Sequence, residues 1–336
     1  MFRTLFFILT CVATANSNLL ERFENWAIEH GHVFDSSERG HIFNNWREND
    51  EFIKEVNAKN LTYTLGHNKY SGLSSNEFSH FMGLRTNKLL LSEREYKPIY
   101  NQEFHLRRGS SSVNWVEKGA VTDVKDQGQC GSCWSFSTTG ALEGVYFITH
   151  DNLESFSEQE LVDCDKLGNG GRDHGCNGGL MDNAFNWIIN NDGLCSEDDY
   201  SYFSGTTKDR GDCKSKDCDN VKNSDIKGFY DVKPSSDDAM MSALSQQPVS
   251  IAIQADQKDF QLYKSGVFTG SCGTKLDHGV LSVGFGSEDG IDYYLVKNSW
   301  SDTWGDGGYI KLGRGDEYNN GDGQCGMLLQ ASYPTY

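Results

Sequence analysis

The run Gln127-Gly128-Gln129-Cys130-Gly131-Ser132-Cys133-Trp134, continued from Ser135 to Thr149, decides how this chain is read. It sets two cysteines behind a glycine turn and follows them with a pattern, Trp134 to Thr149, that predicts a buried helix. A thiol of ordinary pKa, near 8.5, is a weak nucleophile in neutral or acidic water. At the head of a helix, free N–H groups and the helix dipole favour negative charge on the sulfur. Cys133 holds that position.

Two distant segments supply the partners such a thiol needs. Leu276-Asp277-His278-Gly279-Val280 lies roughly 145 residues beyond Cys133, and Lys297-Asn298-Ser299-Trp300 roughly 165. His278 suits a general base, and Asn298 an amide that holds the ring through one nitrogen while the other faces sulfur. Gln127 is spaced to donate its side-chain N–H to a tetrahedral oxyanion, joined by the backbone N–H of Cys133. Trp300 is expected to shield the His–Asn pair from water.

These ordered blocks resemble the papain-like cysteine proteases, the cathepsin L-like branch in particular, and the resemblance runs from about Leu19 to Tyr336. It implies an α+β, two-lobed papain-like fold, with a helical left lobe, a β-barrel right lobe and a mainly helical N-terminal propeptide. It implies a zymogen of an endopeptidase that forms a thioester on Cys133, with His278, Asn298 and Gln127 as the other catalytic residues. No metal or cofactor is called for. The implied partners are protein and peptide substrates, the chain's own propeptide as intramolecular inhibitor, and proteinaceous thiol-protease inhibitors, with the chain a monomer.

Cys176-Asn177-Gly178-Gly179-Leu180-Met181 resembles the loop that binds substrate backbone. The resemblance places Gly178, Gly179, Leu180, Met181, Ala252, Leu276, Asp277, Gly279, Trp300 and Gln330 along the substrate cleft. Leu180, Met181, Ala252 and Leu276 predict an apolar or aromatic residue two positions before the cleaved bond (P2). Gln330 stands where a small residue is common, either shortening that pocket, tolerating a polar end or pointing away. The loop Asp165 to Gly175 has one histidine and no His-His pair, which argues for endopeptidase rather than exopeptidase action.

The first residues read as an export signal, residues 1–15, with Arg3, an apolar core from Leu5 to Val12 and Ala13-Thr14-Ala15. Residues 16–108 form the propeptide in this reading and 109–336 the peptidase domain. The destination is the secretory pathway, a lysosome or equivalent acidic vacuole, or the extracellular fluid, without membrane insertion. With Cys11 in the signal and Cys133 as nucleophile, eight of the ten cysteines remain, an even number that suits disulfides on an oxidising route. Their spacing leaves connectivity open. The resemblance implies Cys130–Cys176, Cys164–Cys213 and Cys272–Cys325, adds Cys195–Cys218, and leaves an exchange of Cys213 with Cys218 open. Residues 1–108 carry 13 basic and 13 acidic residues and 109–336 carry 17 and 35, so the net charge of −18 belongs to the second part. Such acidity repels phosphate backbones and excludes nucleic acid as a partner.

Ile42, Trp46, Asn49, Ile53 and Asn57 recur at helical spacing behind Glu38 and predict one long helix in the pro-segment. The family's pro-region has Arg where Ile42 stands. A second family pattern appears as Gly66-His67-Asn68-Lys69-Tyr70-Ser71-Gly72, with Gly72 in place of Asp. Six histidines precede residue 109, at 30, 32, 41, 67, 80 and 105; they read as solvated surface residues, with protonation that weakens docking as pH falls as the competing reading. His150 and His174 read as structural or exposed. Asn60-Leu61-Thr62 is a glycosylation sequon, and processing is expected in the linker Phe104 to Ser112.

Further on, Ser157 to Glu160 reads as a capping box, and Leu180, Ala184 and Ile188 as a helix face ending near Gly193. Val249–Ile253, Val280–Phe285, Tyr293–Lys297 and Tyr309–Leu312 read as strands. Cys133 thus comes from a helical half and His278 and Asn298 from a β-rich half, so the site must form between them. Ser301 stands where the family has Gly. Two other classes compete: a silent binding protein on the same scaffold, and a thiol–disulfide oxidoreductase using Cys130 and Cys133. Zinc binding lacks the paired ligand spacing it needs.

Overall fold

The computed structural model describes residues 18–85 and 112–336. The export signal with Cys11, His105 and the linker up to Ser111 lie outside the described residues.

The pro-segment opens with helix α1 (residues 18–29) and the predicted long helix α2 (Arg39–Asn57). Phe23, Trp26 and Ala27 of α1 bury against Trp46 of α2 in a small core of their own. The asparagines of the α2 stripe act as clamps. Asn49 donates to the carbonyls of Ser71 and Leu73 at 2.8 and 3.0 Å, and Asn57 pairs with both backbone groups of Leu65. Strand β1 (Tyr63–Leu65) and the short helix α3 (Ser75–Ser79) follow, the latter closed by a reciprocal Ser74–Glu77 capping box.

In the second part, α4 (Cys133–His150) is the central helix, with α5 (Glu158–Cys164) and α6 (Met181–Asn190) beside it. The expected capping box at Ser157 is half made. Ser157 accepts from Glu160 N, but the Glu160 carboxylate turns instead to Cys195 N and Asn191. The strands are β2 (Val113–Asn114), β3 (Gly228–Asp231), β4 (Val249–Ile253), β5 (Tyr263–Phe268), β6 (His278–Glu288), β7 (Ile291–Lys297), β8 (Tyr309–Gly313) and β9 (Ala331–Thr335). They join in the order β1-β5-β8-β7-β6-β4-β9-β3, with β2 against β6. All pairs are antiparallel except β5 with β8. The pro-segment therefore contributes an edge strand to the peptidase sheet.

One face of α4 sets the position of Cys133. Ser137, Gly140 and Gly144 follow it at helical spacing and let the helix backbone approach the sheet closely. Ser137 donates to Val280 O and accepts from Ser250 Oγ through its own carbonyl, both at 2.7 Å. A Cβ on Gly140 would stand 2.8 Å from Leu281, and one on Gly144 2.5 Å from Pro248. This contact brings the helix start level with the first residue of β6, His278.

The structure contains the disulfides Cys130–Cys176, Cys164–Cys213, Cys195–Cys218 and Cys272–Cys325. Cys133 is the free cysteine among the described residues. Because Cys130 is bonded to Cys176, it is not paired with Cys133 as a redox dithiol requires. No helix among the described residues is long and apolar enough to cross a membrane.

The two departures of the pro-segment from the family pattern meet each other. Gly72 lies against Ile42, and a Cβ there would stand 2.7 Å from Ile42 Cγ2 and 2.8 Å from the Trp26 ring. Gly72→Ala is expected to overpack this contact and destabilise the pro-segment by about 1–3 kcal/mol. Urea unfolding of the full-length precursor checks this, and an unchanged pro-segment transition would show that the site has room to spare.

Candidate active site

Cys133 is the first residue of α4 and is fully buried. Its Sγ accepts the N–H of Gly279 at 3.3 Å, which brings the sulfur to the residue next to His278. His278 Nε2 is 2.8 Å from Asn298 Oδ1, while Nδ1 is buried with no hydrogen-bond partner. That arrangement leaves one ring nitrogen held and the other free. Trp300 stacks on the ring at 4.5 Å between centroids. Its Nε1 donates to Gln127 Oε1 at 3.2 Å, and Ser299 Oγ donates to the same atom at 2.8 Å. Gln127 is thereby oriented with its NH2 group free to donate elsewhere.

That NH2 group meets the pro-segment. Gln127 Nε2 donates to Phe81 O at 3.0 Å and to Cys130 O at 2.9 Å. The chain then runs through the cleft. Gly179 N donates to Gly83 O, Arg85 N to Gly179 O and Leu84 N to Asp277 O, each at 3.0 Å. Leu84 thus spans the two lobes, bonded on one side to Asp277 and bridged in parallel to Gly179 on the other. Over the site, Phe78 and Tyr70 pack edge-on to Trp300 at 5.1 and 5.5 Å.

Burial under this segment sets the charge state. It pushes the Cys133 thiol up to about 11, outweighing the N–H groups of Gly279, Gly83 and Trp134 that pull it down. It pushes His278 down to about 4, against the opposing pull of Asn298. The thiolate expected from the helix start is therefore not the state of the covered site. Burial thus favours the thiol and the neutral imidazole over the charged pair.

The residues expected along the cleft are partly gathered. Gly279 pairs with Ala252 across β4 and β6, Ala252 N donates to Gln330 O at 2.9 Å, and a Cβ on Gly279 would lie 3.1 Å from Met181 Sδ. Leu180 and Met181 are buried and Leu276 is half-buried. Asp277 accepts Ala255 N and is pushed up to about 7 by burial. Gln330 is buried with neither side-chain polar atom partnered. Ser301 adopts the left-handed conformation, φ +68°, that the family's Gly takes without strain. His150 packs between Tyr146 and Tyr336, and His174 is exposed. The group of metal-type ligands found among the described residues, Glu160, Cys195 and Cys218, has both sulfurs in a disulfide and no thiolate to offer.

A family model described as papain family cysteine protease matches residues 109–335, and one described as cathepsin propeptide inhibitor domain (I29) matches residues 23–78. The chain belongs to the papain family of cysteine proteases. Its relatives include a probable cysteine protease, RD21B, of Arabidopsis thaliana, 43% identical over 97% of this chain and 69% of that protein. The KDEL-tailed cysteine endopeptidase CEP2 of the same plant is 44% identical over 93% of this chain and 84% of that protein. Among solved structures, the recombinant stem bromelain precursor superposes with a TM-score of 0.80 at 35% identity, covering 95% of this chain and 99% of that one. The proform of the ragweed pollen cysteine protease Amb a 11 gives 0.81 at 35%, covering 95% and 94%. This papain-family protein is accordingly a cysteine endopeptidase with an inhibitory propeptide.

Sequence reading missed Phe81 to Arg85, which fill the cleft, because a short Phe-Met-Gly-Leu-Arg run carries no periodicity. It also missed Lys69, whose Nζ meets Asp126 of the peptidase at 2.5 Å. The six pro-segment histidines do not act alike. His30 and His32 line a cavity of about 520 Å³ at this seam, together with Lys69 and Asp126, and His67 stacks on Trp46 at 4.5 Å beside Asp50. All three are lowered, by burial first. His41 instead bonds Glu77 at 2.7 Å. A histidine with a lowered folded pKa contributes stability above about 6.5, which is lost as pH falls toward the lowered value. Replacing His30, His32 and His67 together by Gln should move the onset of self-processing to lower pH, while replacing His41 and His80 should not. Electrophoresis of the precursor across pH 4–7 measures both, and an unmoved onset in the triple variant counts against the assignment.

Proposed function

We propose that Cys133, His278, Asn298 and Gln127 carry the peptidase reaction within a mature domain, residues 109–336, released from residues 16–108 on the secretory route. The supporting observation is the coincidence of a free buried thiol, a ring held through one nitrogen and a pro-segment carbonyl on the Gln127 amide. Once the pro-segment leaves, water reaches the sulfur and imidazole, and charge separation between them becomes affordable. Cys133 Sγ attacks the substrate carbonyl and its proton passes to His278. The tetrahedral oxyanion takes the place of Phe81 O and accepts from Gln127 Nε2 and Cys133 N. His278 protonates the leaving amine, then draws a proton from water that hydrolyses the thioester. Asn298 keeps the ring aimed and Trp300 keeps water off that bond.

Cys133→Ser is expected to accumulate as unprocessed precursor with no measurable turnover. Gln127→Ala should process slowly and lose about 100–1000-fold in kcat, the range for an oxyanion donor. An epoxide-type thiol reagent should label Cys133 in the processed enzyme and spare it in the precursor. Labelling of the precursor at equal rate would contradict the covered, neutral site.

The cleft reads as a subsite for an apolar P2 residue. The chain's own Leu84 lies between Gly179 and Asp277, Gly279 meets Met181 and Ala252, and the resemblance supplies the same expectation. Buried, unpartnered Gln330 favours one addition, a polar tip at the end of that residue. Matched peptides with Leu, Phe, Tyr or Arg at P2 decide it. Leu and Phe should lead in kcat/KM, Tyr should approach Phe if Gln330 faces the pocket, and an Arg peptide in front would overturn the apolar reading. Substrates are unfolded or flexible protein segments, proteinaceous thiol-protease inhibitors would fill the same cleft, and a glycan at Asn60 would leave with the propeptide.

A further inference from the structure

The two groups that would receive the oxyanion are anchored on different parts of the fold. Gln127 is held from beyond β7, its N–H donating to Ser299 O at 2.9 Å and its Oε1 accepting from Ser299 Oγ and Trp300 Nε1. Cys133 N belongs to the first residue of α4. Tyr202 joins the two segments. Its Oη donates to the main-chain carbonyl of Gln127 at 2.8 Å and lies 2.7 Å from Ser132 Oγ. A phenol has one proton and a carbonyl can only accept, so the serine hydroxyl is the donor in the second bond. The relay from Ser132 Oγ through Tyr202 Oη to Gln127 O therefore connects the residue before Cys133 to the residue whose amide faces the oxyanion.

Ser132 gives up an ordinary role to take part. It is the N-cap of α4, where a serine side chain usually accepts a backbone N–H of the first turn, and here it makes no such bond. Ser135 N and Ser135 Oγ both donate to the Ser132 carbonyl at 2.8 Å, and the Ser132 hydroxyl turns to Tyr202. Gln127 and Ser132 are fully buried and Tyr202 is half-buried. The tyrosine is fixed independently of the groups it joins. Its ring packs edge-on to Phe136 of α4 at 4.9 Å between centroids, and its N–H donates to Glu197 Oε1 at 2.8 Å. Close by, Gly205 O accepts Gln129 N at 2.9 Å, and a Cβ on Gly205 would stand 2.8 Å from Gln127 O. The Tyr202–Gly205 backbone thus lies flush on the Gln127–Gln129 turn.

We propose that Tyr202 is a positioning residue for the peptidase reaction, its hydroxyl holding the Gln127 amide and the Cys133 N–H at one spacing around the oxyanion. The proposal rests on the active-site reading above. Donors stabilise developing charge only if they are already in place when it forms, so a tie between them lowers the barrier without adding to substrate affinity. Such a tie matters only while both donors act. With the Gln127 side chain removed one donor remains, and there is no spacing left to hold.

Tyr202→Phe deletes the hydroxyl and keeps the ring against Phe136. The test uses enzyme processed from the full-length precursor, with active sites counted by the epoxide-type reagent so that slow processing does not pass for slow turnover. Tyr202→Phe should lower kcat about three- to tenfold, the range of one neutral hydrogen bond, and leave KM within about twofold. Ser132→Ala breaks the tie from its other end and should give the same split, with the double variant no worse than either single one. In a Gln127→Ala background, Tyr202→Phe should lower kcat by less than about twofold, the non-additivity of groups that act together. A merely structural role would give the same loss in both backgrounds, or a loss carried by KM. Either result overturns the proposal, as does an unchanged kcat in Tyr202→Phe. Full kcat in Gln127→Ala overturns the oxyanion assignment itself and the role of Tyr202 with it, so the two failures are distinguishable.

Discussion

The structure turns on how closely α4 lies against β6. Ser137, Gly140 and Gly144 remove the side-chain bulk that would hold a helix at ordinary distance from a sheet, and two serine hydroxyls stitch what remains. Packing at this distance fixes relative height as well as separation, since a slide of one residue would break both serine bonds. The helix start and the strand start then coincide, and the Gly279 N–H reaches Cys133 Sγ. The remaining parts of the site hang from this contact. Asn298 directly follows β7, the hydrogen-bonded neighbour of β6, and Gln127 is held by Ser299 and Trp300 immediately beyond it.

Covering such a site creates a problem of unsatisfied groups. A cleft built to hold extended backbone exposes N–H and C=O groups that a lid must not strand in a dry interface. The pro-segment meets this with its own backbone, giving Gly83 O to Gly179, Leu84 N to Asp277 and Phe81 O to Gln127. The pro-segment therefore occupies two donors of the cleft, Gly179 N and Gln127 Nε2, and one acceptor, Asp277 O. The same burial takes charge away from Cys133 and His278.

Much of this was legible in the residues. The central helix was readable from Trp134 to Thr149 because that run carries a single charge, Glu143, and β4, β6, β7 and β8 because β-branched and aromatic residues recur along them. Strand β5 was not, since Lys264, Ser265 and Gly266 break its apolar pattern and its pairing with β1 is decided by a segment about 200 residues away. Strand β9 carries Pro334, which reads as a breaker. The residue types at Cys133, His278, Asn298 and Gln127 were readable; the neutral state of the first two was not, because it depends on a cover of Phe81 to Arg85 that no local pattern announces.

The pro-segment shows how a charge-bearing motif can be rewritten without losing the fold. The family pattern has Arg at position 42 and Asp at 72; here Ile42 and Gly72 touch, an apolar contact in place of two charges. Cohesion in the same domain is carried by Asp50, which is buried and takes Arg22, Lys54 and His67 together. Arg22, Lys54 and His67 hold Asp50 down to about 2 against its own burial, so its anionic form survives the acid range in which histidines charge. An ion cluster of that kind does not itself open as pH falls. Acid sensitivity has to enter where burial opposes a positive charge, at His30, His32 and His67, and two of these line the seam where Lys69 already adds a cation opposite Asp126. Loss of the Arg–Asp pair leaves the burial of His30 and His32 in place, and with it a cost to protonating them.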